Sequence, residues 1–268
     1  MIMENRPILF LDSGIGGIPY CRNFHQKAEN ESIVYIADRQ YFPYGERERA
    51  QIIAILSQLV EKAIQAFNPK IAVLACNTAT IAALPELRKQ FPALPFVGTV
   101  PAVKPAAMAS HSGKIGVLGT AFTVSETYIN ELAAKYGGAQ ITGIAAGELV
   151  DFIESRYLAA SAEEKEAAIK GYIDRFRAAG ADSLVLGCTH FLFLQEEFRR
   201  LASPDIMVFE SVAGITQRIE SLLLDNSFAN MAPNVKNRLV LTGVDEPEPS
   251  WAQWADYMGF ELSLLEQP

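Results

Sequence analysis

Residues 70–100, KIAVLACNTATIAALPELRKQFPALPFVGTV, can be laid over residues 182–212, DSLVLGCTHFLFLQEEFRRLASPDIMVFESV. Each reads as a short apolar strand, a cysteine-containing turn, a helix with a Leu/Phe–Arg pair, and a second strand. Cys76 falls against Cys188, Asn77 against Thr189 and Thr78 against His190. A single thiol at a strand end is ordinary core chemistry, because free cysteine packs as a small hydrophobe. Two thiols at equivalent places in a repeated unit ask for a shared purpose.

Working outward, PILFLDSGIGG (7–17) and KIGVLGTAFTV (114–124) form a second, fainter repeat of strand and helix-opening turn. Apolar runs at 7–11, 32–37, 70–75, 95–99, 114–119, 140–145, 182–187, 206–210 and 238–242 read as strands. They alternate with amphipathic stretches such as 46–67 and 162–180, the latter closed by Gly180. All-apolar strands alternating with helices predict parallel sheets covered on both faces. The expected architecture is two similar α/β halves, residues 1–100 and 101–209, with residues 210–268 returning to the first half. Ligands of open α/β sheets bind beyond the carboxyl ends of the strands. Halves packed with those ends facing would set Cys76 and Cys188 on opposite sides of one cleft.

Composition narrows the classes. Half of the 268 residues are hydrophobic and a fifth charged, as in ordinary globular proteins. The net charge of −8, with no Lys/Arg cluster, argues against nucleic acid as a general partner. MIMENRPILF lacks the basic and apolar regions of a secretory signal, and no apolar run approaches membrane-spanning length. Three widely spaced cysteines suit a reducing cytoplasm rather than a disulfide framework.

Thiols on both sides of a cleft suit removal of a proton from one face of a carbon and its return to the other, as epimerising an amino acid at Cα requires. Free cysteine ionises near 8.5, so each thiolate needs a helix N-terminus, a cation or a base beside it. Both cysteines are expected where helices begin. His190 and Asp12 are candidate tuning groups, and Asn77, Thr78 and Thr189 supply donors for a carboxylate. LDSGIGG (11–17) lacks the spacing of a dinucleotide or phosphate loop, which leaves a turn binding a carboxylate or amine through Ser13, or a plain glycine turn with Asp12 as helix cap. ADRQYFPYGERER (37–49) reads as a polar loop at a strand's carboxyl end.

Rival chemistries rank lower. A zinc site from Cys76, Cys188 and His190 lacks ligand spacing. In a Cys–His hydrolase the histidine would come from elsewhere, since His190 is only two residues from Cys188. Cys21 is assigned to packing, and His25 and His111 to solvent.

The motifs LDSGIGG, YFPYG, ACNTAT, KIGVLGT and LGCTH, in this order, closely resemble those of the bacterial glutamate racemases, cofactor-independent members of the aspartate/glutamate racemase superfamily. The resemblance spans nearly the whole chain. It implies two pseudo-symmetric, flavodoxin-like α/β domains with mainly parallel sheets and the active site between them. It also implies Cys76 and Cys188 as catalytic acid/base residues, supported by Asp12, His190 and Glu154. The substrate-binding positions carried over are Asp12, Ser13, Pro43, Tyr44, Gly45, Asn77, Thr78 and Thr189. The implied activity makes D-glutamate for peptidoglycan in a cytoplasmic homodimer, with no pyridoxal phosphate or other cofactor, no metal and no membrane. The chain departs from the family pattern at Ala37, at Leu192 within Phe191–Phe193, and at Glu210. Two alternatives stand beside this reading. One is a racemase of aspartate or another small carboxylate, against which Ser13, PYG and CNT argue; the other is a non-catalytic binding or regulatory protein, which would be expected to lose one thiol.

Overall fold

The computed structural model describes residues 6–125, 129, 131, 134–136, 138–226, 236–243 and 245–265. The chain divides into two compact units, one of Met1–Thr99 with Val212–Pro268, the other of Val100–Ser211.

The first unit opens with β1 (Ile8–Asp12), α1 (Ile18–Lys27), β2 (Ile33–Ala37), α2 (Arg49–Phe67), β3 (Ile71–Leu74), α3 (Asn77–Gln90) and β4 (Phe96–Gly98). The second unit holds α4 (Val103–Ala109), β5 (Lys114–Gly119), α5 (Ala121–Ser125), β6 (Gln140–Ala145), α6 (Gly147–Arg156), α7 (Ala162–Ala178), β7 (Ser183–Leu186), α8 (Gln195–Ala202) and β8 (Met207–Phe209). The chain then rejoins the first unit with α9 (Val212–Asp225), β9 (Arg238–Leu241), α10 (Pro249–Met258) and β10 (Glu261–Leu264).

The first sheet has the order β10-β9-β2-β1-β3-β4 and the second β6-β5-β7-β8, with every pairing parallel. Each of the nine apolar runs contains a strand. The tenth strand, β10, was not anticipated: ELSL pairs only with β9 at the sheet edge and is half exposed, so it carries no apolar run. Both sheets contain the same four-strand pattern, in which the second strand lies to one side of the first and the third and fourth to the other. Strand order reverses between β1 and β3, and again between β5 and β7. Those two points are where an open α/β sheet offers a crevice.

Helix register follows the apolar spacing. In α2 the buried residues Ile52, Leu56, Leu59, Val60 and Ala63 recur at helical intervals. The helix starts at Arg49 rather than 46, because Tyr44–Glu46 forms a 3₁₀ turn and Glu48 with Gln51 makes a capping box. In α7 Ser161 and Glu164 form a second capping box. Past its end, the amides of Gly180 and Ala181 bond back to Arg177 and Phe176, with Gly180 at φ +73. Pro85 lies inside α3 and has no N–H for the Ile81 carbonyl. Arg49 fills that gap, donating to Ile81 O at 2.8 Å and Ala82 O at 3.2 Å, which ties α2 to α3.

Candidate active site

In the first unit, Asp12 ends β1 and is buried. Its Oδ1 accepts the Gly14 N–H at 2.8 Å, inside the glycine turn. Asp12 is therefore not a helix cap; Gly17 occupies that position for α1. The turn is pinned by Tyr35, whose hydroxyl donates to Gly14 O at 2.9 Å and accepts the Gly17 N–H at 3.1 Å. A Cβ on Gly17 would fall 2.6 Å from the Ala75 Cβ, so the turn rests directly on the residue before Cys76. The glycine there serves close packing.

Cys76 is buried, extended in backbone, and stands at the N-cap of the 14-residue helix α3. The positive end of that helix dipole favours an anion at this spot. Asn77 and Thr78, the next two residues, are buried, as is Ser13 beside Asp12. Tyr44 is 1 % exposed, and its hydroxyl donates to Asp38 Oδ2 at 2.5 Å. Burial, then the Asp38 carboxylate, and then the charges of Cys76 and Asp12 hold the Tyr44 phenol well above its ordinary range, so it is a neutral donor. Pro43 and Gly45 flank it, half-buried.

In the second unit, Cys188 ends the segment after β7 and is also buried and extended. An α-helix was expected to start there. A 3₁₀ turn, Thr189–Leu194, comes first, and α8 begins only at Gln195. The run Phe191–Leu194 has no polar side to show solvent, and all four side chains are buried within that turn. Thr189 and His190 are buried with them. The turn brings His190 Nδ1 to 3.6 Å from Cys188 Sγ, so nearness in sequence does not keep this histidine from its cysteine. His190 Nε2 lies 2.7 Å from Glu154 Oε1 on α6. Burial alone would lower the His190 pKa, but its contacts with Cys188 and Glu154 overcome this and raise it well above 6.5. A protonated His190 has an N–H for Cys188 Sγ on one side and for Glu154 Oε1 on the other.

Asp12, Ser13, Tyr44, Cys76, Asn77 and Thr78 thus lie along the carboxyl ends of one sheet, and Glu154, Cys188, Thr189 and His190 belong to the other unit. Two residues escaped the sequence reading. Asp38 is buried at the end of β2, and Thr242, just past β9, donates to its Oδ1. A signal existed for Asp38, an acid at a strand's carboxyl end level with Asp12; for Thr242 there was none. Cys21 is fully buried in α1, and its thiol pKa is pushed well up by that burial. His25 is not solvated as expected: its ring meets Phe260 edge-on at 5.8 Å and lies 3.4 Å from Asn237 Nδ2. His111 is exposed. Among the described residues, no three or more His, Cys, Asp and Glu side chains are grouped to hold a metal ion. Nor is any described helix long and apolar enough to cross a membrane.

Residues 16–219 match the model of the Asp/Glu/hydantoin racemase family. The chain belongs to this family. Among its relatives, the glutamate racemase of Roseiflexus sp. (strain RS-1) is 34% identical, over 91% of this chain and 89% of that one. The glutamate racemase of Treponema pallidum (strain Nichols) is 39% identical, over 78% of each. The solved structure of Escherichia coli glutamate racemase in complex with L-glutamate and the activator UDP-MurNAc-ala superposes with a TM-score of 0.84. It is 31% identical and covers 97% of both chains. The structure also places the three departures from the family motifs, Ala37, Leu192 and Glu210. Ala37 and Leu192 are buried, and Glu210 pairs with Arg199 at 3.6 Å.

Proposed function

We propose that the protein interconverts L- and D-glutamate without a cofactor, using Cys76 and Cys188 as paired acid and base. The observation that carries this reading is the equivalence of the two thiols. Each follows the third strand of a 2-1-3-4 parallel pattern, at the point where strand order reverses. In this account both strand ends serve one substrate carbon. A thiolate removes the Cα proton from one face while the opposite thiol delivers its proton to the other, and the roles exchange in the reverse reaction.

The environments of the thiols divide the work. His190, with Glu154 behind it, supplies positive charge to Cys188, whereas Cys76 has the N-terminus of α3. Backbone amides and side chains of Asn77, Thr78 and Thr189 suit the substrate carboxylates, with Ser13 and the Pro43–Gly45 turn completing the set. Glutamate is preferred over aspartate on the names of the relatives and on the motif residues Ser13, PYG and CNT. The homodimer, the cytoplasmic setting and the supply of D-glutamate to peptidoglycan rest on the family resemblance.

The test is circular dichroism of the reduced protein with L-glutamate, and separately with L-aspartate, without added cofactor. Decay of the glutamate signal to zero, abolished by Cys76→Ala or Cys188→Ala, is the expected result. Decay with aspartate alone would move the chain to the sister activity, and near-wild-type turnover by either single variant would overturn the two-thiol reaction.

A further inference from the structure

The segment that follows the family match packs against the loop that carries Tyr44. Strand β9 pairs with β2, bringing Leu241 opposite Ala37, and the Thr242 amide bonds to Ala37 O at 3.3 Å. The Thr242 hydroxyl then does two things. It accepts the Gln40 N–H at 3.3 Å and donates to Asp38 Oδ1. The other Asp38 oxygen accepts the Tyr44 hydroxyl at 2.5 Å. The three side chains form one buried chain, Thr242 to Asp38 to Tyr44, with exposures of 6%, 2% and 1%.

Gly243 makes the approach possible. Its φ is +68, and a Cβ there would lie 2.7 Å from Gln40 Cα, so the end of β9 is pressed against the loop that carries Tyr44. The Arg39 guanidinium of that loop stacks over Phe42 at 4.5 Å and over Trp251 of α10 at 5.4 Å, a second tie to the same C-terminal segment. All of these residues belong to one compact unit, and Thr242 lies beyond residue 219, where the family match ends.

We infer that Thr242 is a positioning residue for the racemase site, fixing the Tyr44 phenol through Asp38 so that the Pro43–Gly45 turn is held ready for substrate. The inference rests on the glutamate reading above. A carboxylate held from both oxygens cannot rotate, so its acceptor lone pairs define where the phenol points. A cavity of about 130 Å³ borders this chain of side chains, lined by Asp38, Gln40, Lys62, Thr242 and Leu265 among others.

The experiment compares Thr242→Val, which keeps the shape and removes the hydroxyl, in the wild-type and Tyr44→Phe backgrounds, with Thr242→Ser as the conservative variant. Thr242→Val should raise KM for glutamate about tenfold, the weight of one hydrogen bond to a charged group, with kcat changing far less. Thr242→Ser should restore the wild-type KM, and in the Tyr44→Phe background the Thr242→Val effect should vanish. An equal factor in both backgrounds, or an unchanged KM in Thr242→Val, overturns the inference by reducing Thr242 to a strand residue. If the Val variant does not accumulate folded, Thr242→Ala removes the same hydroxyl without new bulk and is read the same way. Failure of the wild-type protein to racemise glutamate instead refutes the activity itself and is seen before any variant is made.

Discussion

Replacing Gly17 by alanine tests the contact that joins the glycine turn to the thiol's strand. The added Cβ would meet Ala75 Cβ at 2.6 Å, and Ala75 O and Tyr35 Oη at 3.0 Å each. Ordinary contact begins at 3.4 Å, so relief of the closest approach needs about 0.8 Å of movement. Either the turn carrying Asp12 and Ser13 moves, or Ala75 does, and Cys76 is bonded directly to Ala75. Overpacking of this kind costs about 1–3 kcal/mol. In a chain of this size that lowers Tm by roughly 2–5 °C. A displacement near 1 Å at reacting groups costs up to about 10²-fold in rate. Gly17→Ala is therefore expected to lose roughly one to two orders of magnitude in kcat/KM for glutamate, measured by circular dichroism. Ala75→Gly, which copies the glycine at 187 in the repeat, should recover part of both losses by removing the nearer methyl group. A Gly17→Ala variant with wild-type Tm and wild-type rate would refute the reasoning, since it would mean that the turn yields freely without disturbing the thiol.

Two further outcomes follow from the electrostatics. Glu154→Gln removes one of the contacts that raise the His190 pKa, so the His190 titration midpoint, followed by NMR, should fall toward 6.5; an unmoved midpoint would deny the coupling. In the intact protein the raised value means that His190 ionisation stabilises the fold fully below its unfolded pKa and loses that contribution as pH rises through the folded one. Asp182 has the opposite sign. Burial would raise its pKa, but Ser110 Oγ and the Ser112 and His111 amides hold it at about 2. Its contribution is present above the ordinary carboxylate range near 4 and lost as pH falls through about 2. Urea unfolding of Asp182→Asn should show a deficit at pH 7 that shrinks toward pH 2, and a deficit constant with pH would contradict this.

The strands and the two thiols could be read directly because they write themselves into consecutive residues. A buried parallel strand must be apolar throughout, and Cys76 and Cys188 sit at matching places in a repeat. What escaped depends on contacts that no local pattern records. Asp38 meets Thr242 across 204 positions of chain, and a 3₁₀ turn at Thr189–Leu194 stands where an α-helix was expected to begin. The strand at 261–264 was missed for the same physical reason that edge strands often are: half its surface faces water, so it needs no apolar run. Asp12 was open to two readings in sequence, and its bond to Gly14 removes the helix cap from them.

The central claim is that two different thiols serve opposite faces of one carbon. The most direct measurement is racemisation of L-glutamate in D2O, stopped early, with deuterium at Cα determined separately in the recovered L-glutamate and in the D-glutamate formed. Two-base transfer predicts deuterium in the D-enantiomer and almost none in the remaining L-enantiomer, because the proton lost to one thiol is replaced from the other. Deuterium appearing equally in both enantiomers from the start would mean that a single group removes and returns the proton, contradicting the pairing of Cys76 with Cys188.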